Sequence, residues 1–330
     1  MRRFPILALL VLAGCKPGRQ AAVTNDGLVA STVDGRTSVA GRGRVATGGE
    51  ALAFSPDGKR LAIAAQDGAV IWPDGERLAG MGGPLAFSPD GGALAGSVGE
   101  RILVWDVTSG RTRPTTIRGL PTGLRWTQDG RPFGFGGREL QMDGQASITT
   151  RRESVIDAAA MDDGEVAFIA WDALPDSPSD VLHRTIVRGR WDPKTGSVST
   201  ERAMRVPDLF GSTSSGRLDV PLRLALAPDG LAFVAAGVRV EASPANLRRM
   251  EALTDRANPT PAEQREMNAR LKAARLTNAV VRIDGRGRST TLWNAPGDGE
   301  HTVTDVEFSP DGRWLAIALP DRTVRINLKG

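Results

Sequence analysis

Ser55-Pro56-Asp57-Gly58, Ser88-Pro89-Asp90-Gly91 and Ser309-Pro310-Asp311-Gly312 are one tetrapeptide written three times. Looser copies stand at Thr127-Gln128-Asp129-Gly130, Met161-Asp162-Asp163-Gly164 and Ala227-Pro228-Asp229-Gly230. Proline presets φ for the first corner of a turn, and aspartate then glycine suit the positions after it. Four residues before each glycine stand Phe54, Phe87, Trp126, Ala160, Leu226 and Phe308, and six before it Leu52, Leu85, Leu124, Ala158, Leu224 and Val306. An apolar residue at every second position marks a strand with one face buried. Beyond the turn Leu61 and Ile63, Phe133 and Phe135, and Leu315 and Ile317 repeat the alternation. Each unit therefore opens with two strands joined by a tight hairpin.

A third strand ends at Ile71-Trp72-Pro73-Asp74-Gly75, Val104-Trp105-Asp106, Arg190-Trp191-Asp192 and Arg282-Ile283-Asp284-Gly285, each leading into a further turn. A fourth strand then returns to the next unit. Four short antiparallel strands are the content of one blade of a β-propeller, an all-β fold. Spacings between the turn glycines are 33, 39, 34, 66 and 82 residues, and the first three lie close to, and below, a repeat of about 40. In the fourth unit a polar loop, Asp172 to Asp180, lengthens one connection, and a second loop, Pro207 to Asp219, follows its last strand. In the fifth, residues 243–278 read as an inserted helical hairpin. Ser243-Pro244 places a cap before a first-turn proline, and Thr260-Pro261-Ala262-Glu263 reads as a capping box. Leu247, Met250 and Leu253, then Met267, Leu271 and Ala274, give it apolar faces. Six blades are expected, with one strand from Leu28 to Val33 or Arg36 to Ala40 completing the last blade. Because that segment offers two strands around Asp34-Gly35, a degenerate seventh blade is the alternative.

At the N-terminus Arg2 and Arg3 precede an apolar run from Phe4 to Ala13, which ends in Leu12-Ala13-Gly14-Cys15. A short basic segment, an apolar stretch too short to span a bilayer and small residues before a cut site make a secretory signal peptide. Leu-Ala-Gly-Cys resembles the lipobox of bacterial lipoproteins. That resemblance implies cleavage before Cys15 and a diacylglyceryl group on its sulfur. Cys15 is also the chain's single cysteine, so it has no disulfide partner. The expected organisation is a signal peptide at 1–14, a linker at 15–27 and a propeller at 28–330. The expected location is the exported side of a bacterial cell-envelope membrane, with a membrane partner through the anchor and an envelope protein partner.

The repeats resemble the WD-repeat and TolB-type propeller families. Val303-Thr304-Asp305-Val306-Glu307-Phe308 through Arg325-Ile326 is the nearest copy. His301 stands near the place of the WD repeat's Gly-His histidine, and Asp321 where the family's turn aspartate sits. Asn327 occupies the expected tryptophan position, and no other unit has a comparable histidine. The polar network of eukaryotic WD repeats is thus largely missing, and a bacterial WD-like or TolB-like propeller is the better match.

Chemistry is sparse. The chain has no tyrosine and two histidines, His183 and His301, without metal-type spacing. No Gly-x-Ser-x-Gly elbow occurs. Asp172, Asp176 and Asp180 match no calcium-loop spacing and are interrupted by Pro175 and Pro178. No catalytic residue, metal site or cofactor is expected, and Cys15 is the one candidate site. Without residues 1–14 the chain has 40 basic against 38 acidic side chains, too balanced for a nucleic-acid partner. The expectation is a membrane-anchored, non-enzymatic interaction scaffold. The alternative is a small-ligand receptor or lactonase-like enzyme using the central channel.

Overall fold

A computed structural model describes residues 21–33, 36–45, 49–65, 67–150, 154–161, 163–171, 185–205, 216–254, 260–296 and 302–328. These form seven antiparallel sheets, six of four strands and one of three, each a simple meander. The first strands of the blades are Ala21–Val23, Ala51–Phe54, Gly82–Phe87, Gly123–Trp126, Ser154–Ala160, Arg217–Leu226 and Asp305–Phe308. The blade number is therefore seven. The expectation of six is not borne out: the N-terminal segment forms the seventh blade that was the alternative.

That blade is built from Ala21–Val23, Val29–Val33, Arg36–Val39 and Gly43–Arg44. Residues 21–27, placed within a linker by the sequence, form its first strand and turn. The turn is a seventh copy of the signature, Thr24-Asn25-Asp26-Gly27. In all seven copies the glycine has positive φ and its N–H donates to the carbonyl three residues back, at 2.8 to 3.1 Å. Where the first residue is serine or threonine, its hydroxyl replaces a strand partner. Ser55 Oγ donates to Asp57 Oδ1 at 2.6 Å and accepts from Arg60 N at 3.0 Å. Ser88 and Ser309 repeat the arrangement with Asp90 and Asp311, and Thr127 repeats it with Asp129. The hydroxyl bond holds the carboxyls of Asp57, Asp90 and Asp129 below the usual range. These aspartates are turn formers.

Each junction between neighbouring blades has its own apolar core, and there are seven junctions. Leu61 and Ile63 meet Ala22 and Val39 between blades 1 and 2. Trp105 and Met81 meet Ile71 between blades 2 and 3. The series continues through Leu124 with Ile102, Trp191 with Phe133, Phe233 with Ile169, and Leu315 with Val280. Ala316 and Ala318 against Val23 and Val29 complete it between blades 7 and 1. Burying a side chain of the Leu, Ile or Phe class contributes roughly 1.5–3 kcal/mol, so the first six junctions are held mainly by apolar contact.

The ring does not close by an N-terminal strand added to blade 7. That blade ends with Thr323–Asn327 as its third strand. Polar contacts tie the seam instead. Ala21 N donates to Asp305 Oδ2 at 2.8 Å, Asp311 N to Asn25 Oδ1 at 3.0 Å, and Arg325 to the Gly27 carbonyl at 2.6 Å. The Arg325 guanidinium also lies 4.8 Å from the ring centre of Trp314, which packs against Gly27.

The helical hairpin is present, between the second and third strands of blade 6: α1 spans Pro244–Thr254 and α2 Pro261–Ala273. Thr260 and Glu263 form the expected capping box. Leu247, Met250, Leu253, Met267 and Leu271 are buried against Val238, Val240 and Leu276 of the extended blade. The loop expected over Pro207 to Asp219 is shorter than that, since the strand Arg217–Leu226 begins within it. In an antiparallel meander the first-to-second and third-to-fourth connections lie at one end and all others at the opposite end. The seven signature turns share the first end. The hairpin, and the start of the chain's first strand at Ala21, share the second.

Candidate functional site

Aligned on the turn glycine, the fifth residue before it reads Ala22, Ala53, Ala86, Arg125, Ala159, Ala225 and Glu307. Small side chains at five of seven places leave room at the centre of the ring, and a channel of about 820 Å³ runs there. The two exceptions carry opposite charge and meet inside it. Arg125 donates to Glu307 Oε1 at 3.0 Å, and its guanidinium lies 3.5 Å from Asp157 Oδ1. Two residues earlier in the alignment stand Asp157, Arg223 and Asp305, so charge concentrates on blades 4 to 7. The opposite wall is small and apolar, with Ala21, Ala51, Ala53, Pro84 and Ala86.

Asp157 and Asp305 occupy the same position in blades 5 and 7 and do the same work. Each accepts the N–H of its own next residue with one oxygen, from Ala158 and Val306, both at 2.9 Å. With the other oxygen each accepts an N–H from the first strand of the following blade, Leu226 and Ala21 respectively, both at 2.8 Å. Those N–H groups lie on the free inner edge of a sheet, where an unpaired buried donor is costly. Arg223 makes the complementary bond, donating from Nε to the Thr304 carbonyl of blade 7 at 2.7 Å. The channel charges therefore bridge blade to blade.

Channel walls enclose these groups even where part of their surface meets the channel, and this sets their protonation. Glu307 holds the Arg125 guanidinium in its charged form, against the opposing effect of burial. Burial pushes Asp157 up, opposed by Arg125 and the two N–H donors. Burial likewise raises Asp305 to about 6 and Glu307 to about 7, with the neighbouring carboxylates adding to the Glu307 shift. Two carboxyls thus sit near neutrality in a confined space, each already hydrogen-bonded.

Cys15, His183, His301, Asp172, Asp176 and Asp180 lie outside the described residues. Asp321 is exposed in the turn before the last strand. Asp106 and Asp192, after Trp105 and Trp191, cap their turns through backbone N–H groups at 2.7 to 3.1 Å. Among the described residues no group of three His, Cys, Asp or Glu side chains is placed to hold a metal ion. None of the described helices is long and apolar enough to cross a membrane.

Comparison with known proteins agrees with the fold. Residues 291–326, from the last strand of blade 6 to Ile326 in the third strand of blade 7, match the family described as WD domain, G-beta repeat. The structure is similar to the crystal structure of the Myceliophteria thermophila Cps50 (Swd1) beta-propeller domain, with a TM-score of 0.56 and 14% identity. That similarity covers 94% of this chain and 97% of the other. No curated protein matches the sequence. The fold is a seven-bladed β-propeller, and the WD-repeat match is confined to residues 291–326.

Proposed function

We propose that the protein is a non-enzymatic interaction scaffold of the bacterial cell envelope, exported as a lipoprotein and anchored through Cys15. The observation that carries the scaffold reading is the use of the channel charges. Arg125, Asp157, Asp305 and Glu307 are engaged with one another and with backbone donors of neighbouring blades. They bridge neighbouring blades of the ring and are spent on its structure. The lipobox-like Leu12-Ala13-Gly14-Cys15 is what supports the exported, anchored setting.

Affinity capture of the intact lipoprotein from membranes tests this reading, and should return a stoichiometric protein partner. Recovery of no partner, together with metal-dependent turnover of lactone or ester substrates, would overturn it. The anchor is tested separately. Cys15→Ser should move the protein from the membrane to the soluble exported fraction, and unchanged fractionation would contradict a lipid on that sulfur.

A second reading, a receptor for a small ligand, draws on the 820 Å³ channel and its two near-neutral carboxyls. It requires a ligand-induced rise in melting temperature that Arg125→Ala abolishes.

A further inference from the structure

The chain enters the propeller at Ala21, at the end of the ring that also carries the helical hairpin. Only residues 16–20 separate Ala21 from Cys15. Fully extended, six such steps span about 20 Å. On the anchored-lipoprotein reading proposed above, the first strand runs away from that end, so the tether leaves on the hairpin side and draws that end toward the bilayer.

The hairpin's charges are suited to that position. Glu266 is clamped by Arg249 through two bonds of 2.9 and 2.7 Å and by Arg270 at 3.0 Å. Glu263 is used in the capping box, and Arg275 lies 3.7 Å from Glu241. What remains exposed and uncommitted among the described side chains is positive: Arg248 on α1, and Arg265 and Lys272 on α2. Between them stand Ala245, Ala252, Ala269 and Ala273, small residues that let a flat surface approach. The rest of this end is mixed in sign, with Glu50, Asp67 and Glu100 exposed beside Arg101, Arg118 and Arg138. The bulky apolar face of both helices is already buried in the protein, so insertion into the acyl region is not available to it. Adsorption onto charged headgroups is.

We infer that the hairpin is a membrane-facing foot, which docks Arg248, Arg265 and Lys272 onto anionic phospholipid headgroups and fixes the orientation of the tethered propeller. Each basic side chain near an anionic surface strengthens adsorption about fivefold, so the three together are worth roughly 100-fold. The opposite end, with the seven signature turns, is then held away from the membrane.

Because Cys15 is the sole cysteine, a lipid on it would leave an introduced thiol unique. The test uses the intact lipoprotein reconstituted into phosphatidylcholine vesicles, with or without about a third phosphatidylglycerol and containing a headgroup-borne fluorescence quencher. A fluorophore is placed at Ala269→Cys on the hairpin or at Lys59→Cys on a signature turn. Quenching at position 269 should exceed that at 59 at least twofold in anionic vesicles. It should fall to the level of position 59 in pure phosphatidylcholine and in the Arg248→Glu/Arg265→Glu/Lys272→Glu variant.

Equal quenching at both positions, or quenching at 269 indifferent to lipid charge and to the variant, would overturn the foot. Shielding of 269 that appears only on adding an acidic envelope protein would overturn it too, assigning the ridge to that partner. The mass of the N-terminal peptide separates the two layers. An unmodified Cys15 refutes the anchor, whereas a lipidated Cys15 with an unquenched hairpin refutes only the docking.

Discussion

Replacing Gly27 by alanine tests the seam where blade 1 meets blade 7. Gly27 has φ of +74°, and a Cβ there would lie 2.8 Å from Trp314 Cε2, 2.9 Å from Cδ2 and 3.2 Å from Arg325 Cδ. The left-handed backbone alone costs a residue with a Cβ about 1–2 kcal/mol. The contact adds the cost of overpacking, about 1–3 kcal/mol. Trp314 cannot retreat cheaply, because Arg325 covers its ring and donates to the Gly27 carbonyl. Gly110, in a turn of blade 3, isolates the backbone part: its φ is +69°, and nothing lies within 4 Å of its virtual Cβ. Gly27→Ala should therefore be less stable than Gly110→Ala by about 1–3 kcal/mol. Urea unfolding of both variants followed by tryptophan fluorescence measures the difference. Equal stabilities would mean that the 24–27 turn does not rest on Trp314, and the described seam would be refuted.

Other consequences can be measured on the same protein. Asp157→Ala removes the acceptor of Leu226 N and one partner of Arg125, and should cost about 3–5 kcal/mol in urea unfolding; a loss below about 0.5 kcal/mol, the range of an ordinary surface substitution, would contradict a bridging role. The folded-state values of Asp305 (about 6) and Glu307 (about 7) lie above the ordinary 3.8 and 4.5. The native chain thus holds protons that the unfolded chain releases, and the associated stability is full below about pH 4 and lost as pH rises through 6 to 7. Glu266 and Asp284, lowered to about 2 by their hydrogen bonds, act in the opposite sense and only below about pH 4. Glu307→Gln should therefore flatten the decline between pH 5 and 7, whereas a profile parallel to the wild type would contradict the raised value. Glu266→Ala should speed amide exchange in α1 and α2 and leave the first strands of the blades unchanged. Uniform acceleration across the ring would show that the hairpin is not a separate unit.

Most of the repeat was legible because three tetrapeptides are identical and their flanking strands carry large apolar residues. The first blade was harder to see. Its turn has Asn25 where the others often have proline, and its strand places Val23 and Ala21 where the three identical copies place Phe and then Leu or Val. Alanine is a poor strand former, so the Asp26-Gly27 pair was the signal that remained, and it falls 31 residues before Gly58. The helical hairpin was readable from local chemistry, since caps and apolar spacing act within one turn of helix.

The channel cluster was not readable in the same way. Arg125 and Glu307 are 182 residues apart, and only the curvature of the ring brings them together. Their signal appears once seven units are aligned on the glycine, as one arginine and one glutamate among five alanines. Without the seventh unit and the inner-strand geometry, those two residues read as ordinary surface charges.

The central structural claim is that residues 21–44 form a complete blade and do not lend a strand to blade 7. Cross-strand amide NOEs on deuterated protein test it most directly. The seven-bladed ring requires contacts between 21–23 and 29–31 and between 30–33 and 36–39, following their register, and no strand-pairing series of amide contacts from 29–39 to 323–327. Amide NOEs pairing either N-terminal strand with Thr323–Asn327 would contradict it and restore a six-bladed ring.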